Sequence, residues 1–293
     1  MKQSLCTITS NAEIMPGVYL MGIEAPDVAT SAQPGQFITV RCEDFILRRP
    51  FSIHQIVIAS EAKQSQVALL FRIVGKGTLW LSQRQIGDKI DILGPLGKGF
   101  SIQSSSRNLL LVAGGIGIAP LVFLAQRALS SEGHSVTLIH GASTAAQLYP
   151  FSSSPLTLNP SPSKGACPRE GEKQSNLLSL PSGVQFIPVT EDGTMGQKAM
   201  VTNILPDFLT WADQVYACGP VNMYRAMARM LATSLEGNKV KMKKCQVSLE
   251  VRMGCGIGAC YGCTIETKKG LKKVCRDGPV FELDDIMWEE VRI

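Results

Sequence analysis

Four cysteines near the end of the chain restrict its possible folds more than any other feature. Cys255, Cys260 and Cys263 follow a C-x4-C-x2-C spacing, and Cys275 comes after eleven further residues. The first three match the plant-type [2Fe–2S] spacing, in which four thiolates hold two irons and two sulfides. The glycines between them allow the backbone to wrap closely around the sulfur atoms. The segment is therefore predicted to bind a [2Fe–2S] cluster, with a structural zinc site as the alternative.

The remaining composition favours a cytoplasmic protein that uses its cysteines for metal or redox chemistry. The chain has nine cysteines, and its first residues lack the apolar core and cleavage site of a secretory signal. Cys245 could replace Cys275 as the fourth ligand, but it is better interpreted as a small residue at the start of a strand. The formal charge of +5 is small and dispersed, so no nucleic-acid partner is expected. The apolar run from Leu109 to Ala125 contains glycines and a proline and is too short for a membrane span, so no membrane partner is expected either.

The chain divides into three predicted domains. Residues 1–102 contain short β-type runs separated by turn residues, which predicts an antiparallel β-barrel. Residues 103–240 alternate buried strands with helices, which predicts a Rossmann-like domain with a parallel sheet. Residues 241–293 form the small cluster domain. The fold class is thus multidomain β plus α/β, with predicted strands at 17–20, 37–40, 67–72, 89–93, 108–112, 136–140, 184–189 and 214–217, and predicted helices at 120–130, near 198–205 and at 221–235.

Two polar stretches resemble insertions. Residues 58–66 interrupt a strand-rich region, and residues 152–183 are rich in Ser, Pro, Gly, Lys and Glu without hydrophobic periodicity. Both are predicted to be surface excursions, the second of them disordered, and Cys167 within it is expected to be incidental.

Two motifs in the predicted barrel are suited to a flavin. Arg49 and Ser52, in an R-P-x-S sequence at the end of a predicted strand, can meet a diphosphate and a ribityl chain or ring edge. A second strand leads through a glycine turn into the start of a helix, whose free N–H groups can face a phosphate. A solvent-exposed arginine and a plain glycine hairpin are the alternatives. The candidate flavin residues are Arg49, Pro50, Phe51, Ser52, Leu70, Phe71, Arg72, Gly77 and Thr78.

Two further motifs in the α/β domain are suited to a dinucleotide. Gly114, Gly115 and Gly117 join a buried strand to a helix, although they depart from the G-x-G-x-x-G fingerprint, and tight packing alone could explain them. Cys218, Gly219 and Pro220 lie at the carboxyl end of a later strand, where such sheets bind ligands. Cys218 is placed beside the nicotinamide as a candidate catalytic residue, and a buried apolar cysteine is the alternative.

In this order the motifs resemble the ferredoxin-reductase flavoprotein superfamily. The cysteine segment, with the Cys-Arg-Asp-Gly-Pro-Val-Phe sequence that begins at Cys275, narrows the resemblance to electron-transfer subunits of dihydroorotate dehydrogenase B. The resemblance covers nearly the whole chain outside the two insertions. It implies FAD on the barrel, NAD on the α/β domain, a [2Fe–2S] module held by the four cysteines and an FMN-containing catalytic subunit as partner, in a heterotetramer with two chains of each kind.

The implied activity is that of an oxidoreductase subunit in pyrimidine (UMP) biosynthesis. Electrons are expected to pass from dihydroorotate through FMN on the partner, the cluster and FAD to NAD⁺, because a flavin exchanges both single electrons and hydride. NAD is favoured over NADP because residues 140–144 contain no arginine for a 2′-phosphate. A flavin subunit of an NAD(P)H:ferredoxin, sulfide dehydrogenase or hydrogenase complex is the alternative enzyme. A non-catalytic zinc-binding module is the alternative outside enzymes.

Overall fold

The structure is a computed structural model that describes residues 1–43, 45–59, 65–131, 133–151, 180–234 and 244–291. A closed six-stranded antiparallel barrel comes first, as predicted, in the order β1-β2-β5-β4-β3-β6. Apolar residues on alternate positions fill its interior, among them Ile8, Ile23, Ile38 and Leu69. The strands are β1 (Lys2–Met15), β2 (Val18–Glu24), β3 (Phe37–Arg41), β4 (Arg49–Val57), β5 (Gln66–Arg72) and β6 (Lys89–Leu96), and two short helices accompany them, α1 (Pro26–Ser31) and α2 (Lys76–Ser82).

Two barrel strands differ from the sequence prediction. β1 was not predicted, because Ser10 occupies one of its inward positions and interrupts the hydrophobic alternation. The Ser10 hydroxyl accepts a hydrogen bond from the Gly22 N–H at 3.0 Å, which satisfies this buried polar group. The prediction that Arg49 to Ser52 end a strand was wrong: Arg49 begins β4, so these residues lie at the opposite end of a strand from the one predicted.

A seven-stranded sheet follows, in the order β10-β9-β8-β7-β11-β12-β15. All neighbours are parallel except the edge pair of β12 and β15. The prediction of a parallel α/β domain is thereby confirmed. Its strands are β7 (Asn108–Gly114), β8 (Ser135–Ala142), β9 (Val184–Thr190), β10 (Gln197–Lys198), β11 (Gln214–Cys218), β12 (Cys245–Ser248) and β15 (Val280–Glu282), and its helices are α3 (Ile118–Leu129), α4 (Val201–Ile204), α5 (Pro206–Leu209) and α6 (Val221–Ser234).

The sheet extends beyond the predicted domain boundary at residue 240. β12 pairs with β11, and β15 returns from the cluster segment to pair with β12. Residues assigned to the cluster domain therefore complete the seven-stranded sheet, because β12 covers the otherwise open edge of β11. The remaining part of the cluster domain is a hairpin of β13 (Thr264–Thr267) and β14 (Gly270–Lys273), followed by the one-turn helix α7 (Val274–Asp277).

The two predicted excursions lie largely outside the described residues. Residues 60–64 and 152–179 are outside the described ranges, so the predictions for them stay predictions. The first prediction extended too far, because Ser65 is fully buried and Gln66 is the first residue of β5. The apolar run from Leu109 to Ala125 forms β7 and the buried helix α3, and no helix among the described ranges is long and apolar enough to cross a membrane.

Candidate functional site

A cavity of about 720 Å³ lies between the barrel and the α/β domain. Its volume falls in the range of organic cofactor pockets. Every residue predicted to bind a flavin borders it, namely Arg49, Pro50, Phe51, Ser52, Leu70, Phe71, Arg72, Gly77 and Thr78. Adjacent antiparallel strands bring these segments together, because β4 pairs directly with β5 and α2 follows β5. Two motifs that are separate in the sequence thus form one wall.

The turn before α2 is held by Thr78. Its hydroxyl oxygen accepts from the Val74 N–H at 2.9 Å and the Gly75 N–H at 3.2 Å. These two amides are therefore engaged within the turn rather than free for a phosphate. Arg49 lies against the same turn, since a Cβ at Gly77 would stand only 3.0 Å from its Nε atom. The turn therefore places a permanent positive charge at one end of the cavity.

Part of the cavity lining consists of residues that the sequence did not single out. Leu249, Glu250, Val251, Arg252 and Met253 all border the cavity. The protein around the cavity raises the pKa of the Glu250 carboxyl group, although the residue is exposed to solvent, and the charge of Arg72 opposes this effect in part. This stretch carries no recognisable motif, and in the sequence only its position just before Cys255 indicates that it lies near a cofactor site.

The two glycine motifs of the α/β domain pack on each other. β7 and β11 are neighbours, with Ala113 opposite Cys218, so both motifs leave the same edge of the sheet. A Cβ at Gly117 would collide with the carbonyl group of Cys218, and one at Gly114 would come within 2.7 Å of the Pro220 ring. Glycine is thus required here by close backbone packing.

Tyr224 holds the second of these motifs in place. Its hydroxyl oxygen accepts from the Gly219 N–H at 2.8 Å and its O–H donates to the Ser248 carbonyl at 2.6 Å. Ile116 and Ala119, from the segment that contains the glycines, border the cavity. The described residues that line the cavity do not include Gly114, Gly115, Gly117, Gly219 or Pro220.

Cys218 is fully buried. Burial, and then the nearby Glu250 carboxylate, raise the pKa of its thiol well above the usual value. Cys218 is not one of the described residues that line the cavity. Its thiol is therefore an unreactive neutral group in this arrangement, and its predicted position beside a nicotinamide remains a prediction.

The four cysteines of the C-terminal segment form two pairs. The Cys263 and Cys275 sulfur atoms are 3.2 Å apart. In the other pair, the N–H of Cys255 points to the Cys260 sulfur at 3.4 Å, and the N–H of Cys260 points to the Cys255 sulfur at the same distance. A [2Fe–2S] cluster needs two protein ligands at each iron, so one pair suits each iron.

Backbone N–H groups surround the first pair. The Ala259 N–H lies 3.2 Å from the Cys255 sulfur. Burial alone raises the pKa of the Cys255 thiol, but N–H groups of Ile257, Cys260 and Ala259 and the Cys260 thiol outweigh it and lower the pKa to about 6. Metal binding requires the thiolate, and hydrogen bonds to sulfur also tune cluster potentials. The loop therefore suits an iron–sulfur cluster.

The donor set fits two irons better than one zinc ion. The four sulfur atoms lie in two pairs, Cys255 with Cys260 and Cys263 with Cys275. A structural zinc site would require four ligands around a single point. Cys245 lies in β12 opposite Val215, fully embedded in the sheet, so it is not a member of either pair.

The cysteine loop lies next to the cavity. Met253, two residues before Cys255, and Pro279, near Cys275, both border the cavity. Gly256 packs on the barrel, where a Cβ would stand 2.9 Å from the Thr39 methyl group. Thr39 is 1% exposed, and its hydroxyl has no hydrogen-bond partner among the described residues. Thr39 therefore packs on the cysteine loop through its methyl group, and its buried hydroxyl is left without a hydrogen-bond partner among the described residues.

Comparisons with known proteins agree with this geometry. Residues 250–287 match the model of the iron–sulfur cluster binding domain of dihydroorotate dehydrogenase B. The dihydroorotate dehydrogenase B (NAD⁺) electron transfer subunit of Desulforamulus reducens is 35% identical, over 94% of this chain and 95% of that protein. The subunit of the same name from Shouchella clausii is 32% identical, over 98% of each chain.

Solved structures with the same fold are also similar. An NADH-dependent reduced ferredoxin-NADP oxidoreductase, studied for flavin-based electron bifurcation, is 26% identical, with a TM-score of 0.73 over 98% of this chain and 91% of that one. A ferredoxin NADP⁺ reductase from Neisseria gonorrhoeae with bound FAD and NADP shares the fold alone, at 16% identity and a TM-score of 0.58 over 85% of this chain and 100% of that one.

Proposed function

The chain belongs to the family of dihydroorotate dehydrogenase B (NAD⁺) electron transfer subunits, and on that premise we propose which of its residues serve the transfer. The subunit accepts electrons from the FMN-containing catalytic subunit, its partner, and delivers them to NAD⁺. Bound FAD supplies the conversion between single electrons and hydride. The proposal rests on one observation: a single cavity is bordered by the flavin motifs, by Ile116 and Ala119 next to the glycine motif, and by the residues that lead into Cys255.

The barrel side of the cavity holds FAD. Arg49, beside the turn at Gly77, neutralises the diphosphate, and Ser52 donates a hydrogen bond toward the isoalloxazine or ribityl group. Pro50, Phe51, Leu70 and Phe71 exclude water from the ring. Arg72 and Glu250 both border the cavity, and the charge of Arg72 partly offsets the rise in the pKa of the Glu250 carboxyl group. Thr78 keeps the turn in shape through its two amide contacts.

The cysteine pairs hold the [2Fe–2S] cluster. Cys255 and Cys260 bind one iron, and Cys263 and Cys275 bind the other. The packing of the loop supports this assignment, because a Cβ at Gly256 would contact Phe37, Thr39 and Leu96, and Phe37 also borders the cavity assigned to the flavin. Residues 241–293 thus serve as the cluster domain, although they lend β12 and β15 to the neighbouring sheet.

The α/β domain of residues 103–240 receives NAD. Gly114, Gly115 and Gly117 let the backbone approach the dinucleotide, and Gly219 and Pro220 border the nicotinamide end. Support comes from the convergence of both motifs at one sheet edge, next to the cavity. Cys218 contributes its backbone to this edge while its thiol stays buried. We place the protein in the cytoplasm, in a heterotetramer with two catalytic subunits.

The experiment is an anaerobic visible spectrum of the purified chain, with assays for iron, acid-labile sulfide and zinc, before and after NADH. We expect flavin bands and about two irons per chain, since each pair binds one iron, and bleaching by NADH. Zinc without flavin would remove the enzyme assignment. Co-expression with the FMN-containing subunit then distinguishes the family function from an NAD(P)H:ferredoxin-type complex, because only the former yields dihydroorotate-dependent NAD⁺ reduction.

A further inference from the structure

A buried chain of hydrogen bonds joins the barrel to the α/β domain. His54, on β4, is fully buried and lies 3.0 Å from the Ala119 carbonyl oxygen through Nδ1 and 3.0 Å from the Tyr149 hydroxyl through Nε2. His140, on β8, lies 3.0 Å from the Gly115 carbonyl oxygen through Nε2. The Tyr149 N–H is 3.4 Å from the Nδ1 atom of His140. Tyr149 therefore connects both histidines.

The partners determine where the protons lie. A carbonyl oxygen only accepts, so His54 carries its proton on Nδ1 and donates it to Ala119, and His140 carries its proton on Nε2 and donates it to Gly115. The other nitrogen of each ring then accepts, from the Tyr149 hydroxyl and the Tyr149 N–H respectively. Burial lowers the pKa of both histidines to about 4, so both rings are neutral near pH 7 and each keeps a single tautomer.

The contacts bracket the glycine segment that is assigned to NAD. Gly115 lies within it, and Ala119 lies in the first turn of α3 and borders the cavity. His54 follows Ser52 by two residues on the strand that carries the flavin motif. The same strand, β4, thus contributes Ser52 to the flavin wall of the cavity and His54 to the contact with Ala119, just after the glycine segment.

We propose that His54, Tyr149 and His140 are positioning residues that set the distance between the flavin-bearing strand and the glycine segment, and thereby the approach of nicotinamide to flavin. The proposal rests on the assignment of FAD and NAD to these two walls. Hydride transfer needs reacting atoms about 3–3.5 Å apart, and a displacement of about 1 Å can cost about a hundredfold in rate. A network with no contact to either cofactor can therefore control the rate.

Tyr149→Phe is the first test, because it removes only the hydroxyl and leaves the His54 Nε2 atom unpaired. The matched control is Tyr216→Phe. Tyr216 is also buried, and its hydroxyl donates to the Ser101 carbonyl at 3.1 Å, which also accepts from the Gln214 amide. Both variants lose one buried hydroxyl, but only the Tyr149 hydroxyl contacts His54, whose other ring nitrogen holds the first turn of α3 at Ala119.

The measurements use the complete complex with its catalytic subunit under anaerobic conditions. Rapid mixing with NADH gives the rate of flavin reduction, its deuterium isotope effect, and the long-wavelength absorbance of nicotinamide stacked on flavin. For Tyr149→Phe we expect reduction to slow about tenfold to a hundredfold with loss of the stacking absorbance. We expect flavin content and melting temperature to match Tyr216→Phe. Equal reduction rates and equal stacking absorbance in the two variants would refute the proposal.

A conservative series at His54 provides a second reading. Asn can place its amide N–H near the position of Nδ1, so His54→Asn keeps the Ala119 contact and should behave like Tyr149→Phe. His54→Leu loses both contacts and should be slower still. If the flavin of His54→Asn were instead reduced as fast as that of the wild type while reduction in Tyr149→Phe was slow, the Tyr149 hydroxyl would not act through the His54 Nε2 atom. Failure of the assigned function has a different signature, because wild-type flavin would then not be reduced by NADH at all.

Discussion

The sulfur atoms of Cys263 and Cys275 lie 3.2 Å apart at the open end of a β-hairpin. Cys263 immediately precedes β13 and Cys275 follows the end of β14 by two residues, with Thr264 paired to Lys273 at the base. The Val274 N–H donates to the Cys263 carbonyl at 3.0 Å, which closes the hairpin below the sulfur atoms. The long spacing between the third and fourth cysteines is therefore the length of a hairpin. The short spacings between Cys255, Cys260 and Cys263 arise because these three cysteines lie in one continuous loop.

Removal of Cys275 should abolish the cluster, whereas removal of Cys245 should not. We expect Cys275→Ala to lose iron and sulfide, because one iron is left with a single protein ligand. Cys245→Ala is the control for loss of a buried cysteine, and it should retain about two irons per chain, as one cluster requires. Assays for iron, acid-labile sulfide and zinc on both purified variants measure this. If Cys245→Ala lost the cluster and Cys275→Ala kept it, Cys245 rather than Cys275 would be the fourth ligand.

Removal of the Thr39 hydroxyl should lower the cluster potential. A hydrogen bond to a cluster sulfur favours the more negative reduced form. Thr39 packs on Gly256 through its methyl group, and its hydroxyl has no partner among the described residues, so it is available to donate. Thr39→Val keeps the shape and loses the donor, while Thr39→Ser keeps the donor. An EPR-monitored redox titration should give a lower potential for the valine variant only. The same potential in both variants would mean that the hydroxyl does not face the cluster.

Arg49→Lys should weaken FAD binding. The guanidinium group lies against the turn at Gly77 and borders the cavity, where a forked donor suits a diphosphate better than a point charge. We expect the dissociation constant for FAD to rise about tenfold, which corresponds to about 1.4 kcal/mol. Arg84→Lys is the control, because Arg84 stacks on Trp80 at 4.4 Å. The fluorescence of released flavin on dilution gives the FAD dissociation constant of each variant. An unchanged dissociation constant in Arg49→Lys would contradict the assignment of Arg49 to the diphosphate.

Stability should fall on acidification between about pH 6.5 and pH 4. Burial lowers the pKa of His54 and of His140 from 6.5 to about 4, so the unfolded chain binds protons in this interval that the folded chain does not. Stability therefore rises with pH across the interval and is fully present above it. Each histidine contributes about 3 kcal/mol to the loss at pH 4. Denaturant unfolding of wild type and His54→Asn should show a shallower pH dependence in the variant, and parallel curves would contradict this.

NADH should be used in preference to NADPH. β8 ends at Ala142 and its carbonyl accepts from the N–H of Glu191, which follows β9. The Glu191 carboxylate lies 3.4 Å from the Ser143 hydroxyl. A negative charge at this edge repels a 2′-phosphate. Steady-state kcat/KM for the two cofactors tests this, and comparable values would overturn the preference.

Much of the site could be predicted because its motifs are local. Glycines at 114 and 117 reflect the requirement that a strand, a turn and a helix pack closely, and that requirement is visible in neighbouring residues. The cysteine triplet encodes its own loop in the same way. Every candidate flavin residue borders one cavity because adjacent strands of a barrel align the motifs that they carry.

Other features could not be predicted, because distant segments produce them. β1 was missed since an inward serine finds its partner on the next strand. Glu250 joined the cavity wall only because the return of the chain along β12 directs it there. Cys218 ends a strand where ligands bind, yet neighbouring chain covers its thiol completely.

The sequence by itself determined the glycine and cysteine motifs and the two fold classes, because each depends on residues close together along the chain. Only the tertiary structure decided that His54 reaches Tyr149, that β12 and β15 complete the sheet, and that the cysteine loop lies against Thr39. These relationships depend on which surfaces bury each other when the domains pack, and contacts between remote residues leave no periodic pattern in the sequence.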